Sequence, residues 1–123
     1  MRGQRLFIRP IEAADAVIVR EFLRANESSD DAPALGLIGK LVGDLVAVLA
    51  MEITADAVRI DSLIVARELR RKRIGRFMVE ELARLARKID RDRVVVDALD
   101  AGDFFRKLGF EDRDGGLELK IEN

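Results

Sequence analysis

Apolar residues recur along this chain with two different periods, and the changes of period mark out its elements. Gln4, Leu6 and Ile8 alternate with Arg5, Phe7 and Arg9, and Pro10 closes the run, which predicts a short first strand. Ile11, Ala14, Val17, Ile18, Phe22 and Ala25 then fall at helical spacing, with Arg20, Glu21 and Arg24 on the other side. That is an amphipathic helix over 11–25 with the first set facing the core. Residues 26–33, Asn-Glu-Ser-Ser-Asp-Asp-Ala-Pro, read as a loop. Leu37–Val42 and Leu45–Glu52 flank Gly43-Asp44, a pair suited to a two-residue hairpin turn, and a second turn at Thr54–Asp56 leads into Val58–Val65.

After Val65 the period lengthens again. Ile74, Phe77, Met78, Leu82, Leu85, Ala86 and Ile89 form a helical stripe, with Arg76, Glu80, Arg84 and Arg87 facing out. Val94-Val95-Val96 suits a strand buried on both faces. Ala101–Leu108 reads as a short helix stopped by Gly109, and Leu117, Leu119 and Ile121 alternate through a last strand. The predicted order is β-α-β-β-β-α-β-α-β, an α/β domain on one mixed sheet. With 123 residues and no linker or repeat, residues 1–123 are expected to form a single domain.

Composition narrows the chemistry. Cys, His, Tyr and Trp are all absent. Without them there is no thiol nucleophile, no thiolate or imidazole metal ligand and no Ser-His-Asp triad, so no metal is expected. Any chemistry must run on carboxylates, Lys, Arg, hydroxyls, backbone groups and water. The net charge of −1 speaks against a chain dedicated to nucleic acid. The charged N-terminus is no signal peptide and no run is long and apolar enough to span a membrane, so the expected location is cytoplasmic.

One segment breaks the rules of helix design. Arg70, Arg71, Lys72 and Arg73 stand at the start of the helix that begins near Ile74, where the dipole is already positive and each added cation costs about 0.3–1 kcal/mol. No Ser, Thr, Asp or Asn caps that turn, and Gly75 weakens its first residues. Free N–H groups, a positive helix end and four cations describe a site for an anion, with Gly75 allowing a phosphate close approach to the backbone. A plain solvated basic turn and a short nucleic-acid patch are the competing readings.

These residues resemble the signature of the GNAT superfamily, Arg/Gln-x-x-Gly-x-Gly/Ala, preceded by a Leu-x-Val strand. Here Leu63-Ile64-Val65 precedes Arg70-Arg71-Lys72-Arg73-Ile74-Gly75, with Arg73 in place of the first glycine. A second segment, Phe104-Phe105-Arg106-Lys107-Leu108-Gly109-Phe110, is similar to the family's Phe-Tyr-x-x-x-Gly-Phe. The element order also agrees over nearly the whole chain. The family's usual second helix is missing here or reduced to the Asn26–Pro33 loop.

The resemblance implies an N-acyltransferase that moves an acyl group, acetyl first of all, from acyl-CoA to a primary amine of a small molecule or protein. It implies that the coenzyme lies between the strand ending at Val65 and the strand Val94–Val96. Leu63, Ile64 and Val65 would meet the pantetheine arm, and Arg70, Arg71, Lys72, Arg73, Ile74, Gly75 and Arg76 would hold the pyrophosphate. Phe104, Phe105 and Lys107 complete the implied coenzyme set. Phe105 stands where many members carry a Tyr acid, and Ala98 where an Asn is common, which leaves a non-catalytic acyl-CoA-binding module as the alternative. The Phe-Phe pair is also similar to synthases that acetylate glutamate.

Carboxylates are the remaining candidate bases. Glu52 ends the third strand, Asp61 lies inside the fourth and Asp97 follows the fifth. A carboxylate beside a cleft can have a raised pKa and accept a proton directly or through water. Glu27, Asp30 and Asp31 in the loop suit the attraction of a cationic amine acceptor. Family habit points to a homodimer.

Overall fold

A computed structural model describes residues 5–97 and 101–121. Its strands join in one seven-stranded sheet ordered β1-β2-β3-β4-β5-β7-β6: β1 (Leu6–Pro10), β2 (Gly36–Leu41), β3 (Asp44–Ile53), β4 (Ala57–Val65), β5 (Arg93–Val96), β6 (Glu111–Arg113) and β7 (Gly116–Lys120). Only β4 and β5 run parallel, and every other neighbouring pair is antiparallel. Among the described residues three α-helices accompany it, α1 (Ala16–Ala25), α2 (Ile74–Lys88) and α3 (Gly102–Lys107). The mixed α/β architecture is the predicted one, with one strand more. Residues Glu111–Arg113 carry no apolar signal and become a strand only by pairing with β7 across Asp114-Gly115.

The helices divide between the two faces. Val19 and Leu23 of α1 pack on Ile38, Val48 and Ile64, whereas Ile74, Met78, Val79, Leu82 and Ala86 of α2 and Phe105 of α3 join Leu37, Leu49, Val58, Ile60, Val94 and Leu117 on the other side. Val94 and Val96 are buried but Val95 is only half-buried, so β5 is covered on one face rather than on both.

Two further expectations shift. The α1 stripe is rotated: Val17 and Ile18 are 59% and 40% exposed, while Val19 and Leu23 are buried. A 3-10 turn at Ala13–Asp15 precedes α1, and its three residues per turn advance the phase before the α-helix starts. Arg9 fixes that turn, its Nη1 and Nη2 lying 2.8 and 2.9 Å from the two carboxylate oxygens of the buried Asp15. In α2 the stripe holds except that Phe77 is exposed and Val79 replaces it in the core.

The β2–β3 turn is Val42-Gly43, one residue earlier than Gly43-Asp44. Both residues have positive φ, 51° and 84°. That is the left-handed pattern of a two-residue hairpin, with a β-branched residue at a position that favours Asn or Gly.

Candidate functional site

The fourth strand outruns its parallel neighbour. On one side β4 pairs with β3 as far as Ala47↔Val65, but on the other its register with β5 stops at Ile60↔Val96. A bulge coincides with the parting: Met51 faces Ile60 and Ala50 faces Ser62, which leaves Asp61 as the extra residue. Beyond the bulge, residues 61–65 keep β3 on one flank and a cleft of about 1060 Å³ on the other.

Strand alternation decides which peptide groups face that cleft. Ala66 N–H donates to Val46 of β3 at 2.8 Å, so the peptide groups of Val65 and Leu63 turn the opposite way, into the opening. Consistently, the Val65 carbonyl accepts from Arg70 Nε at 3.2 Å. A free strand edge of this kind takes an extended, amide-bearing ligand as an added strand.

The basic turn closes one end of the cleft. A short 3-10 turn, Arg67–Leu69, ends at Arg70, and the chain then passes through Arg71 (φ 68°) and Arg73 (φ 66°) before α2 begins. Arg73 is the N-cap residue, it is left-handed, and no side chain caps the helix. Among the described residues, none of the N–H groups from Arg71 through Arg76 finds a backbone acceptor; the next that does is Phe77, to Arg73 at 3.0 Å. Consecutive unclaimed amides through left-handed residues form a concave nest for an anion, at a helix end that already carries positive potential. Ion pairs claim Arg67 (to Glu27) on one side and Arg76 (to Glu80, 3.0 Å) on the other; among the described residues none reaches Arg70, Arg71, Lys72 or Arg73.

Of the residues named from sequence for the coenzyme, Leu63, Ile64, Val65, Arg70, Arg71, Arg73, Ile74, Gly75, Arg76, Phe104, Phe105 and Lys107 line the cleft, and Lys72 does not. Gly75 has a packing reason besides the phosphate approach that its position suggested. A Cβ there would stand 3.1 Å from Phe104 Cζ and 3.6 Å from Leu63 Cδ2, so the glycine makes room for an aromatic ring in the cleft wall. Phe105 is 3% exposed and stacks edge-on with Phe104 and Phe110, centroids 5.0 and 5.2 Å apart. Gly109, at φ 101°, ends α3, and Phe110 N–H returns to the Phe105 carbonyl at 3.1 Å, which holds this aromatic wall in place. Ala98 lies outside the described residues.

The three candidate bases surround a residue that the sequence reading did not single out. Arg59 Nε is 2.8 Å from Asp61 Oδ1, and its Nη2 pairs with Glu52. The hydrogen bond that Arg59 donates to Asp61 raises the guanidinium above its ordinary pKa first, then the charges of Asp61 and Glu52, with Asp97 adding from further away. Arg59, Asp61 and Asp97 line the cleft, whereas Glu52 stands outside it and serves as a partner of Arg59. The signal was available in principle, because Arg59 and Asp61 sit two apart on one strand face. Ser62 lines the same stretch, half-buried.

Comparison with known proteins places this geometry. The acetyltransferase (GNAT) domain model matches residues 30–112, more than half of the chain. The chain belongs to the GNAT acetyltransferase family. No curated protein sequence matches it, but the fold recurs among solved structures. The ribosomal-protein-S18-alanine N-acetyltransferase of Escherichia coli superposes with a TM-score of 0.75 at 16% identity, covering 97% of this chain and 96% of that one. The E. coli GNAT N-acetyltransferase YhbS, solved with CoA, gives 0.78 at 19% identity over 99% of this chain and 84% of that one. N-acetylglutamate synthase of Neisseria gonorrhoeae, solved with CoA and L-arginine, gives 0.79 at 16% identity over 99% of this GNAT chain. Only 34% of the synthase is covered, so its remaining length has no counterpart here. At these identities the likeness is one of fold.

The loop that stands in place of a second helix is pinned rather than free. Asn26 Oδ1 accepts from Arg67 N–H at 2.8 Å and Glu27 pairs with the Arg67 side chain, which ties the end of α1 to the turn that leads into the basic segment. No helix among the described residues is long and apolar enough to cross a membrane.

Proposed function

We propose that the cleft binds acyl-CoA and transfers its acyl group, acetyl in the first instance, to a primary amine of a small molecule or a protein. The observation that carries this reading is the parting of β4 from β5 beside an uncapped α2. The strand edge at Leu63 and Val65 supplies partners for the amides of the pantetheine arm, and the nest of N–H groups from Arg71 to Arg76 receives the pyrophosphate. Transfer then needs a neutral amine whose nitrogen attacks the thioester carbonyl. The C–N bond forms, the C–S bond breaks, the amine proton passes to a carboxylate through water, and the thiolate leaves. Asp97 is the best placed acceptor of that proton, because it lines the cleft while Asp61 already shares Arg59 with Glu52.

A specific observation favours a second reading. The aromatic wall offers Phe105 and no hydroxyl to the departing sulfur, as suits a module that binds acyl-CoA without turning it over. Thermal-shift titration with acetyl-CoA and CoA, followed by thiol release over a panel of amines, tests both. A ligand at 100 times its dissociation constant adds about 2.7 kcal/mol of stability. A shift with turnover supports transfer, a shift without turnover on any amine supports the binding module, and no shift removes both.

A further inference from the structure

The sheet face opposite α2 is only half covered. Val19 and Leu23 of α1 pack there on Ile38 and Val48, and this cluster reaches no further than Ile64 of β4. Past it the register sets Glu52, Arg59, Val95 and Glu118 side by side across β3, β4, β5 and β7. Their strand neighbours Ile60, Val94, Val96 and Leu117 turn to the α2 core, which leaves this row on the opposite face. Among the described residues neither core cluster includes it, and Val95 at its centre is only half-buried. The row is also unbalanced in charge. Arg59 lies between Glu52 and Asp61, and Arg93 stands 3.0 Å from Asp56, 3.1 Å from Asp92 and 3.8 Å from Glu118. Arg113 shares Glu118 at 3.0 Å, and Glu111 of β6 faces Glu118 in register. Carboxylates thus outnumber guanidiniums. Asp97 adds to the excess and leans over the same face, since a Cβ on Gly116 would stand 3.0 Å from its Oδ1. Arg59, Asp61 and Asp97 line the cleft as well, so cleft and open face are continuous.

We propose that the acceptor is a basic polypeptide segment that lies across β4, β5 and β7 on this open face, its amine reaching Asp97 over Gly116. The inference rests on the acyl-CoA reading given above, in which the coenzyme takes the cleft of about 1060 Å³ and leaves the acceptor this face. A smaller cavity of about 280 Å³ lies beside Leu6, Ile8 and Phe77 on the α2 side, the wrong face for Asp97. A small amine draws its affinity from enclosure, which an open sheet face does not give. An extended polypeptide brings its own covering surface, and its lysines and arginines answer the excess of carboxylates.

Fluorescence anisotropy of the full chain with CoA tests this, using short peptides with a free N-terminus that are basic, neutral or acidic. The basic peptide is expected to bind at least tenfold more tightly than the other two at low salt and to lose most of that preference at high salt. Glu52→Lys combined with Glu111→Lys is expected to weaken basic-peptide binding at least tenfold while CoA affinity stays the same; the melting temperature is followed in parallel, and the wild-type peptide series stands whatever the variant does. In thiol release from acetyl-CoA the basic peptide is expected to give kcat/KM at least tenfold above a small primary amine, and the reverse order overturns the inference. Equal affinity for the three peptides overturns it too, as does basic-peptide binding that ignores Glu52→Lys and Glu111→Lys but responds to Asp30→Lys and Asp31→Lys, which would move the docking to the loop after α1. A protein that binds CoA and no peptide overturns it as well. If CoA itself does not bind, the acyl-CoA reading falls, an outcome distinct from CoA binding without peptide preference.

Discussion

Phe105→Tyr asks whether the missing hydroxyl limits the reaction. The ring is 3% exposed, wedged edge-on between Phe104 and Phe110 at 5.0 and 5.2 Å, and it also lines the cleft. A para hydroxyl either emerges into the opening or stays in the apolar wall without a partner. In the second case the unsatisfied group costs about 1–3 kcal/mol, which for a domain of this size lowers the melting temperature by roughly 4 °C or more. In the first case stability is unchanged and the cleft gains a proton donor, which on the proposed acyl-CoA reading could serve the leaving thiolate. General acid catalysis contributes about 10²–10⁴-fold where it is fully realised. An acid grafted onto a site built without one should give the lower end of that range or less. We expect kcat for thiol release from acetyl-CoA to rise about tenfold or more, with the CoA dissociation constant within a factor of two. The rate is followed by thiol release with a panel of amines, and the melting temperature is measured in parallel. A variant that melts like the wild type, binds CoA equally well and shows no gain in kcat would refute the view that Phe105 withholds the leaving-group acid. A severe loss of stability would locate the hydroxyl in the wall.

Two further expectations concern the scaffold. Val42→Asn replaces a β-branched residue at φ 51° and creates an Asn-Gly turn, so thermal unfolding should shift upward by about 1 kcal/mol, and no shift would mean the turn is not strained. Asp15 has its carboxylate held down to a pKa of about 2, from 3.8, first by the hydrogen bond from Arg9 and then by that from Glu12 N–H. A carboxylate lower in the folded than in the unfolded state adds stability above its unfolded pKa and loses it as pH falls toward the folded one. Asp15→Asn should therefore be less stable at pH 7 and should flatten the acid limb between about pH 4 and pH 2, as read by melting temperature against pH; an unchanged limb would show the pair contributes nothing.

Periodicity read the chain well where one face of an element meets a broad core. Met78, Leu82 and Ala86 of α2 and the alternation of Leu117 and Leu119 are buried or half-buried as their spacing demands. It misled where a local irregularity reset the phase. Counting α1 from Ile11 ignores the 3-10 turn at Ala13–Asp15, whose tighter winding carries Val17 and Ile18 outward and Val19 and Leu23 inward. It failed outright for Glu111–Arg113, because a strand made only of charged residues exists by virtue of its partner. The site divided in the same way. The uncapped, cation-rich start of α2 was legible because it violates helix rules in one stretch of sequence. The Arg59–Asp61 pair lies within one strand and was legible in principle, but Glu52 joins it through a cross-strand register that no single segment encodes.

The structure also moves the argument about the basic turn to new ground. Read from sequence, the oddity was electrostatic: cations gathered at a positive helix end. The backbone is the stronger indication, since Arg71 and Arg73 are left-handed and no N–H from Arg71 to Arg76 has a backbone acceptor among the described residues. Charge alone could be met by mobile counter-ions, which need no fixed geometry and would leave the turn free to relax into an ordinary capped helix start. Aligned amides cannot be satisfied so cheaply. The side chain of Ile74 is buried among the core residues and fixes where α2 starts, while Arg71 and Arg73 just before it hold a left-handed backbone that costs non-glycine residues about 1–3 kcal/mol each. A fold that accepts this cost at the mouth of a parted sheet, rather than placing a Ser or Asp at position 73, keeps those donors for a ligand.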